Sequence, residues 1–262
     1  MQPEEILALY DREMRGEVPL RTPGFRYERI GTILRLVGPS AAVQDNYIVF
    51  SRLEAATADE EIRRQIADFA SLGHSFEWKL HAHDTPADLA ARLLRQGLTA
   101  ASPETVMVRD LHDQAPDRPA AGASDIRRID RPAQLSDLVA VQDATWGEDH
   151  AWYGEMLAGE LAADPGQIEI LVAYDGSRPV ATSLLRLHRG TQFGSIWGAA
   201  TLPACRHRGI YTALVGRHAS TARTAGARLM IADANANSRP VLERVGFRAL
   251  VGVQGFVWQC AG

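Results

Sequence analysis

The run Arg206-His207-Arg208-Gly209-Ile210-Tyr211-Thr212 places two guanidinium groups, an imidazole and a glycine at the entrance to a helix-like segment. Backbone N–H groups at a helix N-terminus converge at the positive end of the helix dipole, and glycine lets backbone approach a phosphate where a Cβ would intrude. Arg206 and Arg208 add fixed counter-charge for a di-anion. The chemistry served by this pattern is the seating of a pyrophosphate. A second concentration of reactive groups spans Asp143 to Tyr153. There Glu148, Asp149 and His150 offer proton acceptors, and Trp146, Trp152 and Tyr153 offer an aromatic wall that can hold an ammonium by cation–π contact or an apolar group by burial. Glu148 is the expected base in this stretch, with Trp146, Asp149, Trp152 and Tyr153 on the substrate side; the competing reading is a solvated interhelical turn. Asp233 is a further candidate base, unless its carboxylate bonds a neighbouring backbone N–H. His188 reads as an exposed strand-end histidine. Cys205, beside Arg206, reads as an incidental small residue.

The elements that must position these groups are legible around the turn. Phe193 to Thr201 reads as a strand, and Leu202-Pro203 ends it because proline has no N–H to give a ladder. Ile210, Ala213, Leu214 and Ala222 keep helical spacing up to Gly226, a C-terminal stop. Arg228 to Asp233 reads as a buried strand, and Ser238 caps a short helix with Pro240 in its first turn and Gly246 at its end.

From about Ile126 to Trp258 the chain resembles the GNAT superfamily of acetyl-CoA-dependent N-acetyltransferases. The family's R/Q-x-x-G-x-G/A turn is matched by Arg206 and Gly209, with Tyr211 in the last small-residue slot. Its N-x-x-[AS]…G-F block is matched by Asn235, Ser238, Gly246 and Phe247. The resemblance implies an α/β (α+β) fold with a mixed, mostly antiparallel sheet flanked by helices, and acetyl-CoA as co-substrate with no metal. It implies a pyrophosphate seat at Arg206, His207, Arg208, Gly209, Ile210, Tyr211 and Thr212, pantetheine pairing at Ala200, Thr201 and Leu202, and Asn235 near the cofactor arm. Many members carry a proton-donating tyrosine four residues before the glycine of the G-F pair; Leu242 stands there in this chain. Tyr211 is the phenol that could take over, and packing or phosphate contact is its other reading. The implied reaction is direct transfer of acetyl to a primary amine of a small molecule or peptide. The alternative is a CoA-binding or sensing protein whose catalysis has lapsed.

The first half repeats the layout of the second. Phe76 to Leu80 reads as a strand, Thr85-Pro86 opens a helix through Leu89, Leu93 and Leu94, and Gly97-Leu98 leads to a strand from Thr105 to Val108. A diverged duplication is expected: 1–112 as a degenerate unit, 113–124 as a polar linker and 125–262 as the acetyltransferase unit. Where the second half has its basic turn, the first has Thr57-Ala58-Asp59-Glu60-Glu61. Thr57 with Glu60 reads as a capping box, and three carboxylates at a helix N-terminus repel pyrophosphate, so this half is expected not to bind CoA.

Composition excludes several classes. The 262 residues carry 28 Lys and Arg against 32 Asp and Glu, a net charge of -4, which gives no broad basic field for nucleic acid. Only one cation, Lys79, is a lysine. No apolar run approaches the roughly 20 residues that span a bilayer, and the acidic start at Glu4-Glu5 is unlike a signal peptide, so a cytoplasmic protein is expected. Cys205 and Cys260 form no metal or disulfide pattern. The expected state is a monomer whose halves mimic a dimer, or a homodimer.

Overall fold

The computed structural model describes residues 1–16, 24–112 and 125–260; the expected linker, 113–124, lies outside the described residues. In chain order the helices are α1 (Pro3–Tyr10), α2 (Ala58–Leu72), α3 (Leu89–Arg95), α4 (Leu135–Trp146), α5 (Ala151–Ala163), α6 (Ile210–Thr224) and α7 (Arg239–Arg244). The strands are β1 (Arg26–Ile30), β2 (Ile33–Val37), β3 (Asn46–Ser51), β4 (Phe76–His81), β5 (Thr99–Ala100), β6 (Glu104–Asp110), β7 (Asp125–Ile129), β8 (Ile168–Asp175), β9 (Arg178–Leu187), β10 (Phe193–Thr201), β11 (Leu229–Ala234) and β12 (Arg248–Trp258). They form two compact units: residues 1–107, 233–240 and 249–262, and residues 108–232 and 241–248.

The first unit carries a sheet of order β1-β2-β3-β4-β12, with β5 on β12. The β3–β4 pair is parallel and is bridged by α2, whereas β1–β2, β2–β3 and β4–β12 are antiparallel. A parallel pair cannot be closed by a tight turn, so a helix-length crossover is required there. Along α2, Ile62, Ile66 and Phe69 recur at helical spacing and pack with Phe76, Trp78 and Phe256 in the core; Gly73, at φ +70°, stops the helix. Phe256 is why β12, expected in the second domain, belongs here. Alternate residues of a strand share a face, and the face of β12 that bears Phe256 is buried against this core, with Val253 to Trp258 in register with His81 to Phe76.

The capping box at α2 does not form. Thr57 is the N-cap residue but its side chain makes no capping bond: its backbone is already near-helical, at φ -112° and ψ -7°, the Glu60 N–H donates to the Thr57 carbonyl at 3.1 Å, and the Glu60 carboxylate lies 3.7 Å from Arg64. A guanidinium in reach competes well with a backbone N–H for a carboxylate.

The second unit repeats the scheme with the order β7-β8-β9-β10-β11. Its one parallel pair among the described strands, β10–β11, is bridged by α6, and the other three pairs are antiparallel. Two buried contacts fix the flanking helices to this sheet. His218 of α6 reaches Glu169 of β8 at 2.7 Å with Thr221 on the other carboxylate oxygen, and Arg186 of β9 grips Glu160 of α5 through both oxygens, at 2.9 and 3.0 Å. Burial opposes the charge on Glu169, yet the His218 and Thr221 hydrogen bonds with the nearby charges of His218 and Arg128 together outweigh it and hold the carboxyl below its ordinary pKa. No described helix is long and apolar enough to cross a membrane.

Candidate active site

The parallel ladder between β10 and β11 is short. It covers Phe193–Leu229, Gly194–Met230 and Ser195–Ile231, after which β10 runs on to Thr201 beside β9. An edge of β10 is thereby left for an extended ligand to pair with. The Leu202 N–H, expected to face that ligand, is taken by Val180 O at 2.9 Å. Antiparallel alternation then turns Thr201 the other way, so its N–H and C=O look toward the open edge; Arg206 Nε uses the carbonyl at 3.1 Å. The backbone groups of this segment that face the open edge are therefore those of Thr201, not of Leu202.

β10 is bulged between Trp197 and Ala200. Gly198 sits at φ +55°, in left-handed backbone, and its carbonyl accepts from Gln142 Nε2 at 2.7 Å and Thr182 Oγ1 at 3.1 Å. Gln142 in turn accepts from Trp146 Nε1 at 2.9 Å, linking α4 to the bulge. Tyr153 of α5 also reaches the bulge: a Cβ on Gly198 would lie 2.4 Å from its hydroxyl oxygen. Burial pushes the Tyr153 phenol up to about 12, so it stays protonated. Gln142, Thr182, Gly198 and Trp197 were missed in the sequence reading; the available signal was an isolated glycine inside a strand, which marks a bulge.

Aromatic surface gathers at this bulge. Trp146, Trp152 and Trp197 are exposed at 56%, 47% and 42%, high for tryptophan. Trp152 lies 5.5 Å from Tyr153 and 6.5 Å from His150, ring to ring, while Arg186 stacks on Trp197. His150 Nδ1 sits between Asp143 Oδ1 at 3.1 Å and Glu148 O at 2.9 Å. Two flanking oxygens require a proton on Nδ1, so in the neutral ring Nε2 is the acceptor. The Asp149 carboxylate bonds the Ala151 N–H at 2.8 Å and so starts α5; the Glu148 side chain is exposed.

At the turn, His207 and Gly209 both adopt left-handed backbone, at φ +62° and +76°. Gly209 is the N-cap of α6, so the N–H groups of Ile210, Tyr211 and Thr212 have no intrahelical acceptor, and no acid occupies the first turn. Arg206, His207 and Arg208 are exposed. Arg208 is not free: it pairs with Asp175 at 2.9 Å, and that hydrogen bond raises its pKa. Arg206 keeps its terminal nitrogens unengaged among the described residues, so it is the available cation. Glycine conformation, open amides, one free guanidinium and no carboxylate within the first turn of α6 together fit a di-anionic phosphate group. Tyr211 is half-buried and burial raises its phenol well above the ordinary value.

Other residues singled out by the sequence take the following places. Asn235 and Asp233 fall in the first unit. The Asn235 side-chain oxygen accepts from the N–H groups of Asn237 and Ser238, at 2.9 and 3.0 Å, so it organises the entry to α7. Ser238 bonds back to Asn235 and is not a separate cap. His188 is buried, bonded to Ser195 at 2.7 Å, and burial pushes its pKa down to about 3. Leu242 is a core residue at 2% exposure.

Residues 126–247 match the acetyltransferase (GNAT) family model. A comparison with curated proteins gives no match. Among solved structures the chain is similar to a GCN5-related N-acetyltransferase from Kribbella flavida, with 14% identity, 98% of this chain and 95% of that chain covered, and a TM-score of 0.73. It is also similar to a GCN5-related N-acetyltransferase from Sphaerobacter thermophilus, with 16% identity, coverage of 100% and 95%, and a TM-score of 0.61. A tandem GNAT protein from the clavulanic acid biosynthesis pathway shares the fold at 11% identity, coverage of 98% and 94%, and a TM-score of 0.63.

Proposed function

We propose that this protein, whose residues 126–247 match the acetyltransferase (GNAT) family model, is an N-acetyltransferase that moves an acetyl group from acetyl-CoA to a primary amine of a small molecule or peptide. The observation that carries the reading is the turn before α6, where open amides, Gly209 and an unengaged Arg206 form a pyrophosphate seat beside the open edge of β10. Acetyl-CoA supplies an activated acyl carbon, so no protein nucleophile is needed. The protein's contribution is positioning. Thr201 and its neighbours on β10 register the pantetheine arm, and the exposed rings of Trp146, Trp152 and Trp197 hold the amine's carbon skeleton. His150 Nε2 takes the amine proton, a role the sequence reading gave to Glu148. The neutral Tyr153 hydroxyl at Gly198 and the Tyr211 phenol are the donors available to the leaving sulfur.

The first unit is silent toward CoA in this proposal, since α2 begins with Asp59, Glu60 and Glu61. A second reading, CoA binding without turnover, draws on the burial of Leu242 where the family carries its tyrosine. Calorimetry with acetyl-CoA, followed by a thiol-release assay over a panel of amines, separates them. One site per chain with amine-dependent thiol release is expected. Tight binding with no release for any amine supports the second reading, and absence of binding in the intact chain removes both.

A further inference from the structure

The chain's only lysine stands in a peculiar place. Lys79 lies in the middle of β4 on the face opposite the first unit's core. Glu77 and His81 share its face by strand alternation; the register adds Tyr47 on β3 and Val253, Gly255 and Val257 on β12. The opposite face carries Phe76, Trp78, Ile48 and Phe256. The Lys79 ammonium is 5.5 Å from the centre of the Tyr47 ring. A Cβ on Gly255 would come within 2.1 Å of Glu77 Oε1, so the bare glycine is what lets the Glu77 carboxylate lie across β12 beside Lys79. Glu104 and Asp233, also in the first unit, are within electrostatic reach of Lys79 and of each other.

This cluster differs from the protein's other ionic groups. Arg15 grips Asp84 at 2.7 Å and Arg35 reaches Asp68 at 2.9 Å. Among the described residues, by contrast, none of Glu77, Lys79, Glu104 or Asp233 makes a side-chain hydrogen bond or a close ion pair. Yet they are not ordinary surface charges. Lys79 is only half-exposed; burial works against its ammonium, but Asp233, Glu77, Tyr47 and Glu104 together outweigh burial and hold its pKa above the usual value. Asp233 is exposed, yet the groups crowded around it raise its carboxyl above the usual carboxylate range. Enclosed charges normally find partners inside the protein. Here an unpaired cation and three unpaired carboxylates await partners of both signs.

We infer that this face of the first unit, bearing Tyr47, Glu77, Lys79, Glu104 and Asp233, binds a small zwitterion carrying an ammonium and a carboxylate, an amino-acid-like compound. Its carboxylate meets Lys79 and its ammonium meets the carboxylates, with the Tyr47 ring beside them. A divalent metal ion fits poorly: no group of three His, Cys, Asp or Glu side chains among the described residues has the arrangement to hold one, and Lys79 opposes it. The inference concerns binding alone and stands whether or not the bound amine is acetylated.

The single lysine makes the test direct. Full-length protein labelled with lysine carrying carbon-13 at Cε has one labelled side chain, that of Lys79. The twenty standard amino acids are titrated singly, with 1,4-diaminobutane and succinate as probes that lack one of the two charges. At least one amino acid is expected to shift the Lys79 resonance saturably while both controls leave it in place. Calorimetry should show its affinity reduced at least tenfold in Lys79→Met and in Asp233→Asn, each confirmed folded by circular dichroism. A Lys79 resonance unmoved by every amino acid overturns the inference, as does an equal saturable shift with 1,4-diaminobutane or succinate. Because the first readout is on the unaltered protein, misfolding of a variant leaves the conclusion testable.

Discussion

Replacing Gly198 by alanine probes the geometry on which the site depends. Two costs are expected. Left-handed backbone costs an alanine about 1–2 kcal/mol relative to glycine, and Gly198 sits at φ +55°. The new methyl would also lie 2.4 Å from the Tyr153 hydroxyl, on a ring whose helix is clamped to β9 by the Glu160–Arg186 pair. Forcing that contact apart is overpacking, worth about 1–3 kcal/mol. Gly198→Ala alone should therefore lose roughly 2–5 kcal/mol. Tyr153→Phe should be near neutral, since the hydroxyl has no hydrogen-bond partner among the described residues. In that background the nearest ring atom is Cζ at 3.2 Å, so most of the steric part disappears while the backbone part remains. Urea denaturation of the four proteins in the double-mutant cycle gives the coupling, expected at about 1–3 kcal/mol in the direction of rescue. If Gly198→Ala costs the same in both backgrounds to within about 0.5 kcal/mol, the placement of Tyr153 against the bulge is wrong.

The turn makes a sharper claim about its two arginines than charge alone allows: Arg206→Ala should weaken acetyl-CoA binding at least tenfold, and Arg208→Ala, already paired with Asp175, less than threefold; calorimetry reading equal losses would contradict it. His188 titrates near 3 when folded and near 6.5 when unfolded, so the unfolded chain takes up the proton first and stability falls as pH drops from about 6.5 toward 3. At pH 5 that deficit is about 2 kcal/mol, and His188→Gln should show a flatter pH dependence of its urea midpoint than the parent; an unchanged slope would assign the acid sensitivity elsewhere. Leu242→Ala should cost about 2–5 kcal/mol by the same denaturation assay, as expected of a core leucine and not of an exposed catalytic position.

The sequence by itself determined the local frame of the site. Gly209 before Ile210 announces a helix entered through left-handed backbone, proline at 203 ends a strand, and the apolar spacing through Ala222 fixes the helix face, because each of these is set by one residue's conformational limits or by a periodicity of a few residues. The repeated strand–helix–strand order of the two halves was visible for the same reason. Which polar group meets which was decided only by the tertiary structure. Whether Arg206 or Arg208 is free depends on Asp175, 33 residues from Arg208; whether the Leu202 N–H is free depends on the register of β9. The Tyr153 hydroxyl finds Gly198, and Lys79 finds Asp233, through strand and helix placements that no local pattern encodes. Even the capping box at Thr57 lost to such competition, since the Glu60 N–H goes to the Thr57 carbonyl and the Glu60 carboxylate turns to Arg64 one helical turn on. Short-range sterics are written in the order of residues, whereas hydrogen-bond and charge partners are chosen by competition among all groups that folding brings together.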